Sequence, residues 1–232
     1  MRKFVLLPVV GCLAWGCGGN SANLALGSNE GQVQQGWTWT YQGAGTLTPQ
    51  GGSAQTADAS MTVTCTNRTG SRITLSESVR LAAQGGVHTY TTQLIYDQDS
   101  QSNALTLVSR TVGNGQAQVV QSTTFAIPGA WVTNMSVTGS TTYTDSTTQT
   151  DSLDTTADLA YVPTHVGQFL TFTTTDRVVY QGVVVRDLTA YFDPPIMQPT
   201  KMTGTVLLGN DSFTGTFILQ STNVPLPGYP PG

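Results

Sequence analysis

The chain has 232 residues, of which 38% are apolar and only 9% charged, with a formal net charge of −4. Soluble domains usually carry about 25% charged residues, so Thr, Ser, Gln and Asn must keep this surface wet. No basic cluster follows Arg2 and Lys3, which excludes nucleic acid and anionic lipid surfaces as partners, since both need grouped Lys and Arg.

The N-terminus comes first. Arg2 and Lys3 precede twelve uncharged residues, Phe4 to Trp15. A bilayer span needs about 20 apolar residues, so this run is too short to cross and instead suits the core of an export signal. A small residue then stands before a Cys at two places, Val9-Val10-Gly11-Cys12 and Ala14-Trp15-Gly16-Cys17. The arrangement resembles the lipobox signal of bacterial lipoproteins. Cys17 is preferred because it has the longer apolar run before it and the polar "GGNSAN" after it; Cys12 is the alternative. The resemblance implies cleavage before Cys17, acylation of its thiol and amine, and membrane attachment through the lipid. Two or more acyl chains anchor stably where one does not. Gly18 in place of Asp implies the outer membrane, with a secreted or periplasmic protein as the alternative. Residues 1–16 are then a signal peptide, and 17–35 a lipidated Cys with a Gly/Asn/Ser/Gln tether. Removal of residues 1–16 leaves seven basic against thirteen acidic residues, a net of −6. Cys65 becomes a lone thiol, expected to pack as a small buried hydrophobe.

From Gly36 onward the pattern has period two, the mark of half-buried antiparallel strands. "GWTWTYQ" puts Trp37, Trp39 and Tyr41 on one face. "MTVTCT" does the same with Met61, Val63 and Cys65, and "NRTG" reads as a turn into "SRITLSESVRL". "VHTYTTQLIY" and "ALTLVSRTV" flank the polar "DQDSQSN". "GNGQ" turns into "AQVVQSTTFAI", and "AWVTNMSV" reads as a further strand. Residues 138–156 contain nine Thr and only Tyr143 and Leu153 as large apolar groups. They are expected to form an exposed hairpin, polar edge strands or a mobile loop. "FLTFTTTDRVVYQ", "VVVRDLTAYF", "MTGTVLLG" and "SFTGTFILQ" complete an all-β, antiparallel fold of about ten to twelve strands over 36–222, either a sandwich or a curved or closed barrel-like sheet. The Pro-rich end, 223–232, leaves the sheet. The body also loosely resembles exported bacterial proteins that begin with a Gly-Trp-x-Tyr-type strand, a match of a few residues that supplies no site.

Chemistry is sparse. His88 and His165 are the only histidines, and no Gly-x-Ser-x-Gly elbow accompanies them. Asp97 and Asp99 begin like a calcium loop, but the chain lacks the required Gly and Glu positions. Asp145, Asp151, Asp154 and Asp158 form a scattered acidic row. Glu77 interrupts the apolar face of Ile73, Leu75 and Val79; if buried it needs a partner, and Arg177 or Arg186 could supply one, although exposure at a sheet edge is the simpler reading. The expectation is a non-catalytic exported lipoprotein, structural or binding, with no cofactor and no metal. Alternatives are a carrier or sensor of an apolar ligand and a carbohydrate-binding sandwich. Trp37, Trp39 and Tyr41 are the residues that would face such a ligand, and an envelope protein is the other expected partner.

Overall fold

Strand β1 (Thr38–Thr48) shows the rule that builds the molecule. Trp39, Tyr41 and Leu47 are buried, while Gln42, Ala44 and Thr46 between them face outward. Alternate side chains of a strand point to opposite faces, so one face becomes core and the other surface. The computed structural model describes residues 32–193 and 196–225. Cys12 and Cys17, and with them the signal and anchor assignments, lie outside the described residues.

The same alternation recurs through β2 (Gln55–Thr69), β3 (Arg72–Ala83), β4 (Gly86–Gln98), β5 (Leu105–Val112) and β6 (Gln118–Thr123). It continues through β7 (Ser136–Tyr143), β8 (Thr148–Thr164), β9 (Gly167–Tyr180), β10 (Val183–Asp193), β11 (Gln198–Leu208) and β12 (Asp211–Thr222). Each strand pairs antiparallel with its neighbours in sequence, and β1 pairs with β12 from Trp39↔Thr222 to Thr48↔Ser212. The result is one closed, ring-like sheet of twelve strands. Closure is how an antiparallel sheet of this size removes its edges.

The outward face is Thr- and Ser-rich. Thr203 meets Thr216 at 3.0 Å and Thr205 meets Thr214 at 2.8 Å across β11 and β12. A barrel that spans a bilayer carries an apolar band outside and polar groups within. Here the apolar residues point inward along β1, β2, β3, β11 and β12, the reverse of that pattern on these five strands.

The ring is uneven. β5 and β6 share only the pairs Ser109↔Val119 and Arg110↔Gln118, and β6 pairs with β7 at three positions. By contrast, β8 and β9 are in register over most of their length, with one break between Thr155 and Leu159.

Two sequence expectations need correction. Residues 138–156 do form a hairpin, β7–β8, but it is neither an edge nor a loop. Thr141, Tyr143, Gln149, Asp151 and Leu153 are buried. In a closed ring every strand has two neighbours and an inward face, so even a Thr-rich strand must bury alternate residues. Second, "AWVTNMSV" is strand only from Ser136; residues 124–135 connect β6 to β7. Trp131 instead stacks on Phe192, with ring centroids 4.0 Å apart, in a small second cluster with Leu153.

One end of the ring carries the hairpins β1–β2, β3–β4, β5–β6, β7–β8, β9–β10 and β11–β12. The opposite end carries the start of the described chain, the β6–β7 connection and the β10–β11 connection. It is plugged. Val33, Ile196 and Val224 are buried there, and Arg68 donates to the Val33 carbonyl and to Gln98.

Candidate functional site

The aromatic face of β1 is core. Trp39 is fully buried and its indole N–H donates to the Ile196 carbonyl at 2.8 Å. Tyr41 is 1% exposed and its hydroxyl donates to the Pro199 carbonyl at 3.0 Å. Trp37 is partly buried and meets Trp39 edge-on, with ring centroids 6.2 Å apart at 86°. The polar atoms of Trp39 and Tyr41 are thus committed to the β10–β11 connection.

The interior has two textures. The arc of β1, β2, β11 and β12 is apolar, with Met61, Val63, Phe213 and Phe217 in the core cluster. The arc from β3 round to β10 admits charge. Glu77 lies on the inward face of β3, since it pairs with Val63 and Thr92 and shares the face of Leu75 and Val79, two residues to either side. Asp176 on β9 and Arg186 on β10 face the same interior, and Arg186 Nη1 lies 3.3 Å from Asp176 Oδ2. Asp151 on β8 pairs with Val178, which pairs in turn with Arg186. Sequence reasoning offered Arg177 or Arg186 as a partner for Glu77. Arg186 is the one that interacts with it, while Arg177 is exposed on the outer face. The sheet-edge reading of Glu77 fails because the ring has no edge.

Burial pushes the Glu77, Asp151 and Asp176 carboxyls up, and Arg186 pulls each partly back. Gln149 also holds Asp151 down, donating to it at 2.8 and 3.0 Å. The Arg186 guanidinium is kept charged, chiefly by Asp176 and then by Glu77. Although protein surrounds it, the Arg186 side chain keeps 45% of its surface accessible, and Asp176 keeps 21%. The guanidinium faces the ring interior, the lumen, from the fourth residue of β10, and keeps contact with solvent near the hairpin end.

Nearer the hairpin end a second polar group spans the thin part of the wall. Arg110 donates to Gln118 at 2.8 Å and to Gln149 at 2.7 Å. Its guanidinium lies 4.2 Å from the centre of the Tyr180 ring and 4.9 Å from that of Tyr143. Gln118 donates in turn to the Tyr180 hydroxyl and to Asp145. The file Asp145–Gln118–Arg110–Gln149–Asp151 therefore runs from the rim to the lumen.

Sequence reasoning missed Arg110. Simple alternation along "LTLVSRTV" sets it opposite to Leu105 and Leu107. A bulge, seen as the shift from Tyr96↔Leu107 to Ile95↔Ser109, turns it inward. Asp151 appeared in the sequence only as one acid of a Thr-rich row.

The remaining candidates have structural partners. Arg72 clamps Asp97 at 2.9 and 3.0 Å, and Asp99 accepts from the Gln101 and Ser102 backbone. The His88 ring stacks on Tyr90, whose hydroxyl donates to Asp211. The His165 backbone N–H donates to the Leu219 carbonyl, which ties its turn to β12. Cys65 is a buried free thiol, and burial pushes it up. Among the described residues no group of three His, Cys, Asp or Glu side chains could hold a metal ion.

No protein family and no curated protein matches the chain. Two solved structures are distantly similar. One is a candidate exported protein with a YmcC-like fold from Bacteroides fragilis, at 9% identity and a TM-score of 0.41, covering 82% of this chain and 97% of that one. The other is a candidate lipoprotein from Parabacteroides distasonis, at 7% identity and a TM-score of 0.33, covering 82% of this chain and 96% of that one. At these identities no role passes from either structure to this chain.

Proposed function

We propose that this chain is an exported protein, lipid-anchored to the cell envelope through Cys17, whose ring domain binds a small polar solute in its lumen without catalysis. The observation that carries the binding half is the accessible guanidinium of Arg186 beside Asp176 inside a closed sheet. Arg186 and Asp176 already pair with each other, and both retain surface for a further polar partner. The same observation disfavours an apolar carrier, because the accessible groups within are ionic while Trp39 and Tyr41 are packed away.

The anchor half rests on the lipobox-type segment. Metabolic labelling with a radioactive fatty acid tests it. Cys17→Ala is expected to lose label and membrane retention, and Cys12→Ala to keep both. The reverse pattern moves the anchor to Cys12, and label retained in both variants removes it. The binding half is tested by a thermal-shift screen of small polar solutes. A solute that stabilises the wild type and loses most of its effect in Arg186→Lys supports the lumen. A solute whose effect survives that change does not bind there, and a screen without hits leaves a structural role.

A further inference from the structure

We propose that the lumen is a proton-linked switch: Glu77, Asp151 and Asp176 converge from facing walls on the single guanidinium of Arg186, so that acid strengthens the ring and neutral pH loosens it. The geometry is set by closure. In a ring of twelve strands, β3 and β9 stand six places apart and face one another across the interior. Glu77 comes from the first wall. Asp176 comes from the second, flanked by Asp151 of β8 and Arg186 of β10.

The charges do not balance. Three carboxylates face one guanidinium: Asp176 in contact at 3.3 Å, Asp151 across Val178, and Glu77 from the facing wall, where the Arg186 charge still acts on it. The other ionisable groups facing the cluster do little to correct this. Tyr41 of β1 and Tyr96 of β4 are neutral, and both hydroxyls are pushed further up by burial and by the acids. Arg110 of β5 touches only the Asp151 side and is already spread between Gln118, Gln149 and two Tyr rings. Asp187, on β10, adds to the repulsion on Asp176. On β2 the ionisable inward side chains are Cys65, whose influences are Arg68 and Asn67, and, beyond the bulge, Arg68, which is tied at the plugged end to the Val33 carbonyl, Gln98 and Gln32. The inward residues of β11 and β12 around it are Met202, Gly204, Phe213, Gly215 and Phe217, none of which ionises.

Like charges held close within a ring of protein resist joint ionisation. The folded ring therefore keeps a proton that the unfolded chain gives up. Consider the sign. All three carboxyls are shifted upward, so below the ordinary carboxylate range both states are protonated and the cluster costs nothing. As pH rises the unfolded chain ionises first and folding is progressively penalised, until the folded cluster ionises too. Each proton so retained lowers the folding constant about tenfold per pH unit across that window.

The test compares the full chain with Glu77→Gln by urea denaturation from pH 5 to pH 8. The buried Asp193 carboxyl, pushed up to about 7 by burial, titrates in both chains and cancels. The expected result is a stability advantage of Glu77→Gln that grows with pH, by up to tenfold in the folding constant per unit. An advantage that is constant or shrinks with pH overturns the proposal. Should Glu77→Gln fail to fold, the wild-type side-chain carboxyl carbons are titrated by NMR. At least one of Glu77, Asp151 and Asp176 titrating well above the ordinary carboxylate range supports the switch; all three titrating within that range overturns it.

Discussion

At the residue scale the buried polar atoms do the most selective work. The Trp39 N–H bond to Ile196 ties β1 to the β10–β11 connection, and Tyr41 adds a second tie beside it. Trp39→Phe keeps most of the packing and orphans a carbonyl. A buried unsatisfied group costs about 1–3 kcal/mol, so urea denaturation should show a loss of that size. Cys65 offers a matching case. The Cys65 thiol donates to the Asn67 carbonyl at 3.5 Å; Cys65→Ser keeps a donor for that carbonyl, whereas Cys65→Val removes it and adds bulk, so Cys65→Val is expected to lose more, by about 1–3 kcal/mol. Trp39 and Tyr41 were legible as inward-facing from their spacing alone. That their polar atoms bond to residues more than 150 positions away was not, because nothing local encodes which segment crosses the strand end.

At the element scale, the ring is closed by β1 and β12 and thinnest at β5–β6–β7. The closing seam is a glycine site. Gly45 pairs with Gly215, which pairs with Gly204, and the Phe213 ring lies over the first two. A Cβ at Gly215 would come 2.5 Å from the Ala44 carbonyl and 2.6 Å from Phe213. Gly215→Ala must therefore displace backbone or ring, and overpacking of this kind costs about 1–3 kcal/mol. A fall in the thermal midpoint checks it. The thin seam uses side chains where the backbone ladder is missing. Arg110 bonds to Gln118 and Gln149 and lies over Tyr143 and Tyr180. Arg110→Met keeps much of the stem and removes those bonds. The expected outcome is faster amide hydrogen exchange confined to β6 and β7, with β2 and β3 unchanged. A uniform change across the ring would show that the seam is not held locally. The hairpins were readable from turn chemistry, as at Gly70, whose φ of +62° suits the turn after β2. The bulge that turns Arg110 inward was not, because a single extra residue reverses the facing of everything beyond it without changing composition.

At the scale of the whole molecule, the first and last strands must meet before the core is closed. Removing β12 by truncation after Leu208 exposes the edges of β1 and β11 together with Phe and Leu positions of the core. Unpaired edges template association, so the truncated chain is expected in the void volume on size exclusion, and a monomeric, cooperatively unfolding product would contradict the closed ring. The pH profile also belongs to this scale. Asp97, held below the ordinary range by Arg72, Asp145, held down to about 2 by Thr147 and Gln118, and Asp211, held down by Tyr90, supply stability that is lost as pH falls through their depressed range. The lumen carboxyls act with the opposite sign, weakening the ring as pH rises. The two limbs together place maximum stability in mildly acidic solution, measurable as a maximum in the urea midpoint against pH.

Period-two patterning, turn residues and the scarcity of charge were enough, by themselves, to determine an all-β chain with a Thr-rich water-facing surface and the inward set of Trp39, Tyr41, Met61, Val63, Ile73 and Leu75. These are local properties, because a strand's two faces follow from the backbone alone. Closure was decided only in three dimensions. Whether twelve strands form two layers or one ring depends on the pairing of β1 with β12, from Trp39↔Thr222 to Thr48↔Ser212, at opposite ends of the described chain. That pairing turns Glu77 from an apparent edge residue into a lumen carboxylate facing Asp176 and Arg186. Charge pairing within the ring depends on distance through space, which alternation along a strand does not carry.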